Sequence, residues 1–310
     1  MRRLFVALGA MLLAAPNLKT SAAQNASAQA PEPSWEVAAG GKMSFDVASV
    51  KRDTSGTPFP PNFPVSGDDS YFGNTTLFRS ALPLTTDIAF AYKLLPSEEQ
   101  LLRSQLAKWA QTEIFDIEAR AALPSTKDQM RLMMQSLLEN RFKLKVHFET
   151  KQKPVFALVL VRPGQTGPQL RRYGDDPPCA GTLAGRPKIV AGQLPPLCYA
   201  LFLFPGTING VSVFTWGSRN VSMRQIAGDM GAAPNTNLDR PVVDESGLSG
   251  NFDFLMTFSA KPPLTADAAP TDSAPTFLEA LKDQLGLKLE STTGPVTTLV
   301  IDHIEEPTPN

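Results

Sequence analysis

Residues 221–304 decide the fold. They open with VSMRQIAGDM (221–230), continue with RPVVDESGLSGNFDFLMTF (240–258) and close with TFLEALKDQLGLKLESTTGPVTTLVIDHI (276–304). The first run has helical spacing behind Ser222, a residue type that caps helices. An extended pair follows around Ser246-Gly247, where Gly247 and Gly250 supply turn positions with positive φ. A second helix-period run leads into what reads as a closing hairpin. The order is helix, strand, strand, helix, hairpin, which predicts a compact α+β module: a small sheet with one apolar face and two helices to cover it.

The same order occurs earlier in the chain. Phe115-Asp116 matches Phe252-Asp253, the helical run 127–140 matches 276–286, and Pro154-Val155 matches Pro295-Val296. The expected fold class is therefore α+β, built from two related helix-strand-strand-helix-hairpin modules, the first over residues 43–163 and the second over 210–306. Residues 164–209, rich in Pro and Gly, read as an insertion between them, 24–42 as a flexible leader, and 307–310 as a tail.

Within the first module, MSFDVASVKR (43–52) and YFGNTTLF (71–78) read as strands, and Pro83 introduces a helix. SEEQLLRSQLAKWAQ (97–111) reads two ways: its propensity is helical, whereas the repeat places residues near Leu101 opposite 240–244 and makes them extended. Phe115, Ile117 and Ala119 alternate with Asp116, Glu118 and Arg120 as in a half-buried strand. Ser125 is placed as the cap of a helix whose Met130, Met133, Met134, Leu137 and Leu138 form one apolar stripe, expected in the core. Lys151–Lys153 then reads as the turn of a hairpin ending in PVFALVLV.

The N-terminus carries an address. Arg2 and Arg3 precede an apolar run too short to span a bilayer, and Ser21-Ala22-Ala23 supplies small residues. Residues 1–23 are therefore expected to be a signal peptide cleaved after Ala23, the alternative being an uncleaved anchor. No later run has membrane-spanning length. Removing Arg2, Arg3 and Lys19 leaves 26 basic against 30 acidic residues. With no concentrated basic patch, nucleic acid is excluded as a partner. Cys179 and Cys198 are expected to form a disulfide in an exported protein, a staple rather than a redox pair, since the C-x-x-C spacing is missing.

Chemistry-bearing motifs are scarce. Of two histidines, His147 falls on the polar side of its strand and His303 lies among Asp302, Glu305 and Glu306. Adjacent strand residues point to opposite faces, so Asp302 and His303 do not converge on a metal. ESGLSG lacks the Gly-x-Ser-x-Gly spacing around Ser246 and Ser249. Asp239, Asp244 and Glu245, with Asp116 and Glu118 in the first half, could do acid and base work only in a cleft that separates their pKa values. No phosphate loop, dinucleotide fingerprint, metal site or cofactor site is expected.

The runs LDRPVVDESGLSGNFDF, VSMRQIA, FDIEARA, RFKLKVHFETKQKPVFALVLV, LGLKLESTTGPVTTLVIDHIEEP and FDVASVKR together resemble a large family of uncharacterised secreted bacterial proteins, soil-associated and expanded in Acidobacteria. That domain of unknown function is also found attached to sensor-type membrane metallopeptidases. The chain departs from the family in NLDRPVV, where a Leu-Gly-Arg-Pro-Val-Val run is usual, and in a longer tract at 259–274. The element order is also similar to the short N-terminal domains of secretins and TonB-dependent receptors, which are periplasmic interaction modules. The resemblance implies an exported, periplasmic or extracellular protein that binds an envelope or extracellular protein through a sheet edge or the face between modules. The alternatives are a hydrolase using carboxylates near Asp244 or His303, and a purely structural envelope protein.

Overall fold

The computed structural model describes residues 34–70, 73–174, 179, 193–208, 210–231, 233, 236–260 and 274–307. The proposed signal peptide, with Ala23, lies outside them. In chain order, helix α1 (Ser34–Ala39) precedes strands β1 (Val47–Arg52) and β2 (Thr75–Pro83), and β2 runs directly into α2 (Leu84–Ala91). Helices α3 (Pro96–Arg103) and α4 (Lys108–Thr112) lead to β3 (Ile114–Ser125), α5 (Lys127–Phe142) and the long β4 (Lys145–Leu160). The later part holds β5 (Leu170–Arg172), β6 (Phe202–Ile208), β7 (Val211–Ser222), α6 (Met223–Met230) and β8 (Val242–Asp244). It ends with β9 (Asn251–Ser259), α7 (Phe277–Ala280), a wide π-type turn Leu281–Leu285, and β10 (Leu287–His303).

The protein is α+β, and the described residues form three small sheets of order β1-β3-β2, β10-β4-β8 and β5-β9-β7-β6. The local signals explain the elements. Thr126, Ser222 and Thr276 each accept the N–H three residues on, and Gln129, Gln225 and Glu279 reach back, which closes a capping box at the start of α5, α6 and α7. The methionine stripe of α5 lies in a first core with Phe78, Phe90 and Phe115. Trp216, Phe252, Phe254 and Phe258 form a second core beneath α6 and α7. Ring edges meet ring faces in both, Phe115 against Phe142 at 5.2 Å and Trp216 against Phe254 at 4.7 Å.

The long strands join the cores. β4 and β10 pair antiparallel from Leu287↔Leu160 to His303↔Lys145 as a two-stranded ribbon. Leu144, Val146 and Phe148 sit in the first core, and Phe156, Leu158 and Leu160 in the second. β10 runs the other way, with Leu287 and Leu289 in the second core and Leu299, Ile301 and Ile304 in the first. Each half thus lends its last strand to the other, so neither core is complete without both.

This corrects the two expected hairpins. Lys151–Lys153 and the Gly294-Pro295 pair do not turn the chain; they lie mid-strand where the ribbon passes between the cores. A strand that leaves one core before entering another loses its apolar alternation there, and such a gap looks like a turn.

Other expectations shift too. Helix α3 occupies the segment that the repeat makes extended, so the helical propensity of Glu98–Leu102 prevails. Thr126 rather than Ser125 caps α5. Part of the expected leader is helix α1, where Glu36 accepts a hydrogen bond from Gln135 Nε2 at 2.7 Å. The insertion supplies β5 and β6, the two edge strands of the four-stranded sheet. Strands β8 and β9 flank Gly247 (φ 70°) and Gly250 (φ 86°) but join different sheets, β8 running parallel to β4.

Two contacts hold the closing elements in place. Gly167 meets the turn before β10 so closely that a Cβ on it would lie 2.4 Å from Gln284 O and 2.5 Å from Gly286 N. Gly167→Ala is expected to lower stability by about 1–3 kcal/mol, because backbone on both sides must move; thermal unfolding reads this. At the other end of β10, Gln105 Nε2 donates to Leu299 C=O at 2.9 Å and its Oε1 accepts from Ile301 N–H at 3.3 Å. This side-chain amide stands where a neighbouring strand would pair. Gln105→Ala should cost about 1 kcal/mol and speed hydrogen exchange at the Ile301 amide relative to Leu287, which it does not touch.

Candidate functional site

Between the two halves lies a cleft of about 610 Å³. One wall forms where α2 ends. Lys93, at φ 54°, turns the chain after Tyr92, and Leu94 N–H closes back on Ala89 C=O at 2.8 Å. Pro96 then starts α3, with the Glu98 carboxylate accepting from Leu95 N–H at 2.8 Å. Helix α6 forms the second wall. It comes so near that a Cβ on Gly228 would lie 2.4 Å from Leu95 Cδ1. β8 and the middle of β10, residues 295–297, complete the lining with Phe148 and Trp35.

The floor is mainly apolar and aromatic, and the rim is charged. Tyr92 and Phe148 meet edge to face at 6.4 Å, and Lys93 Nζ stands 5.6 Å from the Trp35 ring centre. Arg224 on α6 bridges to Glu98 on α3 at 2.6 Å. Lys93 is held by Asp69 at 2.7 Å and Asp128 at 3.4 Å. Burial pushes the Asp69 carboxyl up, but Lys93 and Arg131 together outweigh it and bring it below its usual value. The Tyr92 hydroxyl is driven well above the ordinary phenol value by burial, with the charges of Glu36 and Glu139 adding to it. It therefore stays a neutral hydrogen-bonding group.

The sequence-predicted acids and histidines do not converge. Asp244 lies on the rim, where its Oδ1 accepts from Ser246 N–H at 3.0 Å and Ser246 Oγ at 2.7 Å, forming a turn. His303 pairs with Glu305 at 2.7 Å, and Asp302 with His147 at 2.9 Å. His303 stands opposite Lys145 and Asp244 opposite Leu158, so roughly 40 Å of ribbon separates them at about 3.3 Å per residue. Asp239 pairs with Arg240 at 2.9 Å. Asp116 on β3 is pushed up by partial burial and by the Asp53 charge. Cys179 and Cys198 are joined, with their Cα atoms 5.4 Å apart. Among the described residues no group of three His, Cys, Asp or Glu is placed to hold a metal, and none of their helices is long and apolar enough to cross a membrane.

Sequence reasoning missed the buried charges. Arg131 and Asp87 are fully buried and Lys127 nearly so. Asp229 on α6 accepts from Trp216 Nε1 at 3.0 Å and is raised to about 6 by burial, with a smaller contribution from Asp68. The acidic run Asp68-Asp69 and the i, i+4 pair Lys127 and Arg131 are the signal that was present.

A family model described as "Protein of unknown function (DUF3738)" matches residues 85–304. The chain belongs to this family. The DUF3738 match runs from α2 to the end of β10 and takes in every wall of the cleft except Trp35. β1 and β2 lie before it. No curated protein and no solved structure matches the chain.

Proposed function

We propose that this DUF3738 protein is an exported, non-enzymatic binding protein of the cell envelope that holds its ligand in the cleft between the two halves. The cleft carries the reading: it joins an apolar, aromatic floor to a rim of both charges, the composition of a recognition site. The open edges of the β4–β10 ribbon are poorer candidates. Pro154 and Pro295 sit near the middle of the two strands, and Pro205 lies on the edge strand β6. A proline offers no N–H to an added strand, so such edges resist pairing.

The two halves are, in this reading, copies of one unit that exchange closing strands. The offset that carries Pro154 onto Pro295 also carries Lys153 onto Gly294, its own partner in the ladder, so a pseudo-twofold axis passes through that pair. The order β1-β3-β2 has its counterpart in β5-β9-β7. Export is supported by the N-terminal run ending at Ala23 and by the compatibility of the Cys179–Cys198 bond with an oxidising compartment. The mass of the secreted chain tests it, because cleavage after Ala23 leaves Gln24 first.

Thr297 is exposed and lines the cleft, so Thr297→Trp fills the cleft with little effect on either core. Cross-linked partners recovered from envelope and culture fractions should be lost with Thr297→Trp and kept with a substitution on the β1 edge. A partner that ignores Thr297→Trp would sink the cleft reading. Turnover of ester, peptide or glycoside panels that vanishes with Asp244→Ala would overturn the non-enzymatic one.

A further inference from the structure

One wall of the cleft has hydrogen-bonding capacity that the fold does not use. β8 lies parallel to β4 in the register Phe156↔Val242 to Leu158↔Asp244. Phe156 N–H donates to Pro241 C=O, and Glu245 N–H donates to Leu158 C=O. Along a strand, alternate residues direct both backbone groups to the same side. Pro241, Val243 and Glu245 therefore face β4, while the N–H and C=O of Val242 and Asp244 face away from it. Among the described residues no protein group bonds them.

Val242 is only 6% exposed. A backbone donor and acceptor at so buried a residue are almost always paired, and each costs about 1–3 kcal/mol if left dry. Both residues line the cleft, so whatever occupies it can satisfy them. A small apolar molecule would leave them unmet. A polypeptide in extended conformation presents donor and acceptor at the same alternate spacing.

We propose that the ligand of this cleft is an extended segment of a partner polypeptide, added as a strand to the free side of β8. The proposal rests on the cleft being the binding seat. The lining also fixes the pattern of that segment. Alternate side chains face the floor made by Tyr92 and Phe148 and are apolar. Those between meet Lys93, Glu98, Arg224 and Asp244, so charges of both signs are accepted. Proline is excluded at the positions whose N–H must face β8.

The probe is a library of octapeptides alternating apolar and charged residues, titrated against the full-length mature protein. The tightest binder is then remade with a single backbone N-methyl group at each position in turn. Strand addition predicts a loss of tenfold or more at alternate positions and less than threefold at those between, together with slowed hydrogen exchange at the Val242 and Asp244 amides. Even tolerance of N-methylation overturns the strand proposal, and the cleft reading survives if Thr297→Trp still abolishes binding. Binding unaffected by Thr297→Trp overturns both. If no octapeptide binds, a fragment mixture separates the two ideas: methyl shifts at Leu95 and Val242, which line the cleft, keep the cleft and reject the peptide, and no shifts reject both.

Discussion

Replacing Arg131 by Met is expected to lower the stability of the protein by about 2–4 kcal/mol. Arg131 is fully buried on α5. Its guanidinium donates to Asp69 at 3.1 Å, to Asp128, to Ser66 C=O at 3.1 Å and to Asp68 C=O, and it lies 5.5 Å from the Phe90 ring centre. Lys127, one turn earlier, donates to Ser70 C=O at 2.8 Å and meets Asp68 at 3.3 Å. Burial pulls it down to about 8, and the charge of Asp68 opposes that pull. Together these cations fasten the 66–70 loop to α5.

Methionine keeps the length of the side chain and removes the fork, leaving two carbonyls and two carboxylates short of a donor. Breaking a buried ion pair by removing one partner costs about 3–5 kcal/mol. Here the carboxylates are one-third exposed or slightly more and Lys93 still pairs with both, so the lower figure applies. Lysine at 131 should recover under half of the loss, since a compact ammonium cannot span acceptors on two segments. Urea midpoints and hydrogen exchange over 66–70 read the effect. A loss under about 1 kcal/mol, with exchange in that loop unchanged, would contradict the fastening role. The consequence reaches the cleft, because Asp69 is also the anchor of Lys93 on its rim.

These charges show where the sequence stops being readable. The period of α5 is legible, and it places Met130, Met133 and Met134 in the core as found. The same period also reads Lys127 and Arg131 as a wet face. They are dry because a loop some sixty residues earlier covers them, and no local pattern carries that information. The alternation of 142–160 and 287–303 is legible as strands too. That they are two single strands and not two hairpins depends on each having a second core to enter, a property of the other half of the chain. The repeat expected from the sequence misleads at α3, which it makes extended. There a Gln105 side chain pairs with the β10 edge, as β8 pairs with β4 at the other end of the ribbon. The cleft was not legible as a site, because its walls come from the end of α2, the face of α6, β8 and the middle of β10. Only the general expectation of a binding face between the halves pointed toward it.

The second large effect has the opposite sign: Asp87→Asn should stabilise the protein near neutral pH by about 2–4 kcal/mol. Asp87 lies in the first turn of α2 and is fully buried. Ser80 Oγ donates to its Oδ1 at 2.7 Å, whereas Oδ2 has no partner among the described residues. The helix N-terminus favours a negative charge by about 0.3–1 kcal/mol, and the Ser80 hydroxyl adds a single hydrogen bond. Neither offsets the cost of holding a carboxylate without water, and burial raises Asp87 to about 8 against a usual 3.8.

The folded state therefore keeps a proton that the unfolded chain releases above about pH 4. Its contribution to stability is full below that pH and is lost as pH rises through about 8, at no more than 1.36 kcal/mol per unit. Asparagine has nearly the same shape, accepts from Ser80 and never ionises. The Asp87→Asn variant should match the wild type near pH 4, exceed it increasingly up to pH 8, and run parallel to it beyond. Asp229, raised to about 6, contributes a slope of the same sign between about pH 4 and 6 in both proteins, so the difference between the two curves isolates Asp87. Urea unfolding from pH 4 to 9 measures that difference. If it stays constant with pH, Asp87 is already ionised in the folded protein, and a partner for its second oxygen must exist.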